Sequence, residues 1–441
     1  MTRPAEISVD HLGRSYRVSA DAPDLKWVAG ALIFSAIAFN AVLCFINTSV
    51  APIHNSYVVG SEVLIVAIAL LACHRTIEPK DVFIIGAVLL YTALLAFIRS
   101  GLSPGEDLNL KISRDFLIPV VFLLLGKSVG DTKVADRIVY FATGLLLAFA
   151  LFEYFFLDAY LRIFAVVEYY VARGTLDAAN PALQWANGLM LNGIRPEELG
   201  GRVLLPSLLN EHRVSSLFLE SISLGNFGSL VVFWAILRSS MERRLRFWSV
   251  AAGIAMIILA DNRFNATFLG LGLLILLITP RLTTPAVFVM PIVVVGGLCL
   301  EALTSPVQYE PYLEGTTFQD RLLFSGRILA DLDFLNWLGI GATTAYTLDT
   351  GYAYVISGLG VVGFAVAWCW LMSLKGNNRY FYAFRNTVAA YFAALLCISQ
   401  SQFTIKTAAL LWFLLGVLSM ARDAASRPAG PPRDGAMSLA R

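Results

Sequence analysis

Long apolar runs separated by short polar turns are the dominant pattern along this chain. A membrane-spanning helix needs about 20 mostly apolar residues, and a dozen runs approach that length. The pattern therefore predicts an all-α fold, a polytopic integral membrane helical bundle with about 12 transmembrane helices. The predicted spans are residues 27–46, 57–74, 82–99, 115–131, 138–158, 214–237, 247–261, 264–279, 283–302, 352–373, 386–399 and 403–421.

Two connections in this pattern are much longer than helix-to-helix turns require, about 159–212 and about 303–348. The first contains LRIFAVVEYYVARG, which is suited to a helix lying along the membrane interface. Residues 1–26 are polar and lack the apolar core of a cleavable signal, which predicts a cytoplasmic tail. Residues 422–441, rich in Pro and Gly, predict a disordered cytoplasmic tail. The membrane domain is therefore predicted to cover 27–421.

Composition and the placement of charge support this organisation. Hydrophobic residues make up 57% of the 441 positions and charged residues only 15%, which excludes an ordinary soluble domain. The net charge of +2 favours no nucleic-acid partner. With the N-terminus inside, the cytoplasmic segments hold 21 of the 33 Lys and Arg residues. Because basic residues concentrate in cytoplasmic loops, both termini are predicted to be cytoplasmic and both long loops external.

The segment EHRVSSLFLESISLGNFG, residues 211–228, contains the most distinctive polar pattern. Arg213, Ser216, Glu220 and Ser223 have the spacing of one helix face. A carboxylate carried into a membrane helix should face a partner or a wet cavity, which makes Glu220 a candidate functional group. A structural pair with an arginine or a serine would explain the same pattern.

Four of the arginines on the predicted external side are candidates for binding a ligand. Arg263 occupies a short turn in ILADNRFNATF, where an ordinary turn arginine is the simpler alternative. A guanidinium keeps its charge and presents a rigid fork of donors suited to a phosphate. The group as a whole therefore suits a diphosphate; its members are Arg213, Arg263, Arg321 and Arg327.

A Gly/Thr-rich segment at residues 339–363, GIGATTAYTLDTGYAYVISGLGVVG, brings Asp349 and Tyr352 to the start of the span predicted at 352–373. Asp349 could act as a general base or orient an acceptor hydroxyl, and it could equally cap the helix. His212 is a weaker candidate base. Charges predicted inside or at the edges of spans suit either proton-coupled transport or helix packing; they are Glu62, Asp115, Glu153 and Lys406. No metal-binding or nucleotide-binding motif is present, so no metal and no cofactor is predicted.

Together, the spans, the two long loops and the motifs at 211–228 and 339–363 resemble the bacterial O-antigen and exopolysaccharide polymerases of the Wzy type, which are related to the O-antigen ligases. The resemblance implies a metal-independent glycosyl transfer at the periplasmic face of the bacterial inner membrane. The implied partners are the lipid bilayer and an oligosaccharide linked to undecaprenyl diphosphate. Flippase and chain-length regulator proteins are further candidate partners.

The resemblance also suggests roles for individual residues. Arg213 matches the family's arginine that precedes a glutamate-bearing helix, and Arg263 matches the arginine of its short loop motif. Asp349 lies where the ligases carry a histidine, which favours a polymerase over a ligase. An O-antigen-type ligase, a lipid-linked oligosaccharide flippase or transporter, and a non-catalytic scaffold remain alternatives. The predicted catalytic residues are Arg213, Glu220, Arg263 and Asp349, and the predicted substrate-binding residues are Arg321, Arg327, Ser223, Tyr352 and His212.

Overall fold

A computed structural model describes most of the chain, namely residues 7–9, 15–17, 23–102, 111–179, 188, 193, 205, 209, 212–238, 241–305, 318–341 and 350–421. Two short strands, β1 (Ile7–Val9) and β2 (Ser15–Arg17), pair antiparallel near the N-terminus. From residue 23 onward, the regular structure of the described ranges is helical.

The helices are α1 (Pro23–Ser49), α2 (Asn55–Ala72), α3 (Pro79–Leu102), α4 (Lys111–Val129), α5 (Thr132–Phe155), α6 (Leu157–Ile163), α7 (Val166–Ala172), α8 (Ser221–Leu237), α9 (Arg243–Leu259), α10 (Arg263–Leu277), α11 (Pro280–Thr304), α12 (Phe318–Asp331), α13 (Phe334–Trp337), α14 (Gly351–Ser373), α15 (Arg379–Leu395) and α16 (Ile405–Met420). Short 3₁₀ turns at Ser216–Phe218 and Ser401–Phe403 precede α8 and α16.

Each of the twelve predicted spans overlaps one of these helices, with ends that differ by up to seven residues. Among the described residues, six helices are long and apolar enough to cross a membrane, namely α1, α2, α3, α5, α11 and α14. Three more, α8, α10 and α16, are apolar but shorter. The protein is therefore helical, with the apolar helices of a multi-pass membrane protein. Large apolar side chains are exposed along α2, α3 and α11, as expected where helices face lipid.

Helices α4 and α16 pack more closely than ordinary side chains would allow. A Cβ on Gly126 of α4 would overlap the backbone of Phe413, and a Cβ on Gly416 of α16 would overlap the backbone of Leu123. Small residues permit this close approach of membrane helices. The packing also fixes the position of the first turn of α16 relative to the first turn of α4.

Helix α14 is interrupted at Gly360, which has a left-handed φ of 69°. The buried side chain of Arg99, from the last turn of α3, lies beside the interruption. Its Nη2 donates to the carbonyl oxygens of Gly339 at 2.7 Å and of Ser357 at 2.9 Å. Carbonyl groups without a hydrogen bond are unfavourable in an apolar environment, and Arg99 supplies the missing bonds. The same bonds attach the segment after α13 to the middle of α14.

The first long loop contains two short helices, α6 and α7, in place of the single interfacial helix predicted there. Phe164 and Ala165 have non-helical backbone angles and separate the two. Tyr160 and Tyr169 are completely buried, because both helices pack against α1. The second long loop likewise contains α12 and α13.

Candidate functional site

The segment from His212 to Glu220 is not the start of a helix, so the prediction of one helix face for Arg213, Ser216, Glu220 and Ser223 is wrong. Helix α8 begins only at Ser221. Ser216 and Leu219 have left-handed φ values of 54° and 58°, which a continuous α-helix excludes. Arg213 and Glu220 therefore belong to two differently oriented parts of the chain.

Glu153, in the last turn of α5, holds this irregular segment in place. Its completely buried carboxylate accepts hydrogen bonds from the backbone amides of Ser215 and Ser216, and from the Ser215 hydroxyl at 3.1 Å. His212 Nε2 lies 3.0 Å from the same carboxylate. These contacts replace the helical hydrogen bonds that the two amides lack. Glu153, one of the buried charges noted from the sequence, thus holds in place the segment that carries His212 and Arg213.

Arg213, Asp261 and Arg263 form a compact group, here called the arginine site. The Arg213 side chain is 7% exposed, and its Nε donates to the carbonyl oxygen of Ala260 at 3.2 Å and lies 3.9 Å from Asp261 Oδ2. Arg263 Nε lies 4.0 Å from Asp261 Oδ1, and its side chain is 37% exposed. Two guanidinium groups therefore flank one buried carboxylate, with Arg263 on the more open side.

The turn between α9 and α10 that carries the arginine site is set by its neighbours. Asp261 adopts a left-handed φ of 45°, and the side chain of Asn262 caps α10 by accepting from the Asn265 amide at 3.1 Å. Asn262 also donates to the Ile222 carbonyl oxygen at 3.3 Å. Gly225 leaves the space for Asn262, since a Cβ there would overlap the asparagine side chain. The turn is thereby docked on the first turns of α8.

Glu220 lies immediately before α8, and its carboxylate contacts Lys406, Tyr170 and Ser223. Lys406 Nζ lies 2.9 Å from Oε1, the Tyr170 hydroxyl donates to Oε1 at 3.0 Å, and the Ser223 hydroxyl donates to Oε2 at 3.1 Å. Glu220 therefore pairs with Lys406 and with a serine, Ser223, and no hydrogen bond or ion pair between Glu220 and an arginine is found among the described residues. Lys406 comes from the first turn of α16, 186 positions further along the chain.

A second ion-pair network surrounds the first turn of α4. Arg114 contacts Glu62 of α2 and lies 2.8 Å from Asp115 Oδ1. Lys111 Nζ lies 3.7 Å from Asp115 Oδ2, and the Tyr354 hydroxyl of α14 donates to that oxygen at 2.6 Å. The contacts join the first turns of α4 and α14 to Glu62, about two turns past the start of α2. Together with the contacts of Glu220 and of the arginine site, they place the charged groups at one end of the helical bundle.

The remaining predicted site residues have different surroundings. Tyr352 is 1% exposed, and its hydroxyl donates to the Ala393 carbonyl oxygen at 2.9 Å, so its contacts are those of a packing residue. Arg321 and Arg327 lie on α12, which packs against α11 and α14. Asp349 lies outside the described residues. Its predicted role, and those of Tyr352, Arg321 and Arg327, stay predictions.

Sequence reasoning missed four residues that the structure brings to this end of the bundle, namely Lys111, Arg114, Tyr170 and Arg173. A signal was available for the first two. Lys111, Arg114 and Asp115 have i, i+3 and i+4 spacing, which places them on one face of a helical turn directly before a long apolar run. Charges at the end of a span indicate a functional contact as strongly as a charge inside it. Within the described ranges, no three His, Cys, Asp or Glu side chains gather in a way that could hold a metal ion.

The fold and the site together define a helical protein with multi-pass membrane character and a charged group of side chains at one end of its bundle. Comparisons with known protein families, with characterised proteins and with solved structures find no match. The charged groups at this end of the bundle are the arginine site, at the α9–α10 turn, and the ion pairs of α2, α4, α16 and Glu220, which immediately precedes α8.

Proposed function

We propose that this protein is a polysaccharide polymerase that joins oligosaccharide repeat units carried on undecaprenyl diphosphate. The growing chain on one lipid is transferred to the terminal sugar of a second lipid-linked unit. A hydroxyl of the acceptor sugar attacks the anomeric carbon, the bond to the diphosphate breaks, and undecaprenyl diphosphate leaves as an anion. The hydroxyl proton passes to a general base.

The observation that carries the proposal is the arginine site. Arg213 and Arg263 flank the carboxylate of Asp261, so two cationic side chains meet one anionic side chain in this group. A diphosphate leaving group gains charge in the transition state, and positioned guanidinium groups stabilise such charge without a metal. The 37% exposure of Arg263 gives a ligand access to the group.

The membrane topology in this proposal has twelve spans and both termini in the cytoplasm. The connections between helices alternate between the two sides, so the first turns of α2, α4, α8 and α16 face the periplasm. The charged end of the bundle then lies at the periplasmic face of the inner membrane, where a lipid-linked saccharide presents its diphosphate. Helices α8, α10 and α16 are shorter than the six long apolar helices of the described ranges. Short spans would end below the periplasmic surface of the bilayer and so leave room for a site recessed into the membrane.

The other predicted residues complete the proposed site. Asp349 contacts the acceptor sugar as the base, whereas the buried Tyr352 supports the start of α14 through its hydrogen bond to the Ala393 carbonyl oxygen. Arg321 and Arg327 of α12 assist in holding the diphosphate, and His212 lies beside Arg213 on the same segment. Glu220 and Ser223 set the start of α8 through the ion pair with Lys406.

Deletion of the gene in its native host tests the proposal, with the surface glycan sized by gel electrophoresis. We expect single repeat units to replace long chains, and a plasmid copy to restore the long chains. Long chains that accumulate on undecaprenyl diphosphate would indicate a ligase instead. Unchanged glycan of every class would rule out the proposed polymerase.

A further inference from the structure

The ion pairs around α4 and α16 form one group, here called the charge cluster. Its members are Glu62, Lys111, Arg114, Asp115, Glu220 and Lys406. Lys406 acts electrostatically on Glu62, which connects the pair on α16 with the pairs on α4. Three carboxylates balance three cations in this group.

The charge cluster is open to the surface on one side. The side chains of Lys111, Arg114 and Glu220 are 35%, 19% and 26% exposed, respectively. Partly exposed ion pairs contribute little to stability, so helix packing alone does not account for a group of them. Partial exposure leaves part of the Arg114 and Lys111 side chains within reach of a ligand, while both also contact carboxylates of the cluster.

Arg173 adds a fourth cation at the edge of the charge cluster. Its guanidinium lies 5.2 Å from the ring centres of both Tyr169 and Tyr170, and the Tyr170 hydroxyl binds Glu220. Its charge also acts on Glu62. Nη2 donates to Asn55 at 3.4 Å, a long contact, and the buried Nε has no hydrogen-bond partner among the described residues.

These contacts give Arg173 a fixed position with donors to spare. No carboxylate within the described ranges pairs with it. The six side chains of the charge cluster plus Arg173 are four cations and three carboxylates, and the Arg173 guanidinium is held against two aromatic rings. Such an arrangement favours an anion with several acceptor oxygens, as a diphosphate has.

We propose that Arg173, together with Arg114 and Lys111, forms a second diphosphate site, which holds the lipid-linked acceptor. This assignment rests on the proposed polymerase function. Polymerisation engages two diphosphate lipids at once, and only the donor loses its diphosphate. The arginine site stabilises the leaving group, whereas the second site holds a diphosphate that stays intact. Loss of the second site should therefore weaken acceptor binding and leave the chemical step unchanged.

Binding of inorganic pyrophosphate tests the site without reference to activity. Full-length protein in nanodiscs is titrated by isothermal calorimetry, and the wild type is expected to bind two pyrophosphates. Arg173→Gln should weaken one of the two sites about 10- to 100-fold, the contribution of a charged hydrogen bond. The matched control is Arg162→Gln, an exposed arginine of α6, which should bind like the wild type. A single site in the wild type, or two unchanged sites in Arg173→Gln, would overturn the proposal.

A kinetic measurement tests the assignment to the acceptor. With donor and acceptor lipids supplied separately, Arg173→Gln should raise the KM for the acceptor about 10-fold or more at unchanged kcat, and Arg173→Lys should recover part of the loss. An unchanged acceptor KM would contradict the assignment. If the wild type formed no polymer at all, the proposed function would fail, while the pyrophosphate titration would still decide whether the anion site exists.

Discussion

Arg213→Gln is expected to lower polymer formation about 100-fold or more, the loss typical when one positioned donor is removed from a site that stabilises developing negative charge. The Arg213 side chain is nearly buried and is held by the Ala260 carbonyl and Asp261. Glutamine keeps a polar side chain, but it is shorter and removes the charge. The measurement is the amount and length of surface glycan in a deletion strain that carries the variant.

Removal of a buried guanidinium also leaves Asp261 with less compensation, so a loss of folding has to be separated from a loss of chemistry. Arg263→Gln addresses this, because its more exposed side chain can be replaced at little cost to packing. It should lower polymer formation in the same direction. Arg162→Gln is the control for arginine substitution on the external side. Full-length polymer from both Arg213→Gln and Arg263→Gln, at normal membrane levels, would show that the arginine site is not used.

Gly416→Leu is expected to destabilise the folded protein more than the arginine substitutions described above. The new side chain would enter the backbone of α4 at Leu123, where no void is available to accept it. Overpacking of a tight interior costs about 1–3 kcal/mol and often more when backbone is in the way. The apparent melting temperature of the detergent-solubilised protein should therefore fall by several degrees, as measured by fluorescence-detected size exclusion after heating.

Gly144→Leu is the matched control for that substitution. Gly144 lies in the middle of α5, and a Cβ there meets nothing within 4 Å. The same glycine-to-leucine change should therefore leave the melting temperature close to that of the wild type. Equal melting temperatures for Gly416→Leu and the wild type would contradict the close packing of α4 against α16.

The same packing connects stability with the site. Helix α4 carries Arg114 in its first turn, and α16 carries Lys406 in its first turn. A shift between the two helices would move Lys406 relative to Glu220 and to the Phe218 carbonyl oxygen, to which Lys406 donates at 3.2 Å. Residual polymer made by Gly416→Leu should therefore be reduced even at temperatures where the variant is folded.

The sequence was sufficient to locate the long apolar helices. Each predicted span overlies a helix because continuous hydrophobicity over a bilayer-length run is a strong local signal. The turn at Asp261, Asn262 and Arg263 was also readable, since three polar residues interrupt an apolar run and an asparagine suits a helix cap. Local patterns of this kind depend only on neighbouring residues.

The geometry of the site depended on contacts that local patterns do not contain. The helical spacing of Arg213 and Glu220 was misleading because Ser216 and Leu219, neither of which is glycine, adopt left-handed angles between them. Those angles are stabilised by Glu153, which lies about 60 residues earlier. The Glu220–Lys406 and Glu62–Arg114 pairs likewise join distant parts of the chain. Such pairings follow from the packing of the bundle.

The most direct test of the proposed function uses purified protein in liposomes with one substrate, a repeat unit linked to undecaprenyl diphosphate, and with EDTA present. The released undecaprenyl diphosphate and the length of the lipid-linked glycan are measured together. We expect the wild type to release one undecaprenyl diphosphate for each unit added, and Arg213→Gln to lose both activities. Absence of elongation by the wild type, or elongation that Arg213→Gln retains in full, would contradict a polymerase that works through the arginine site.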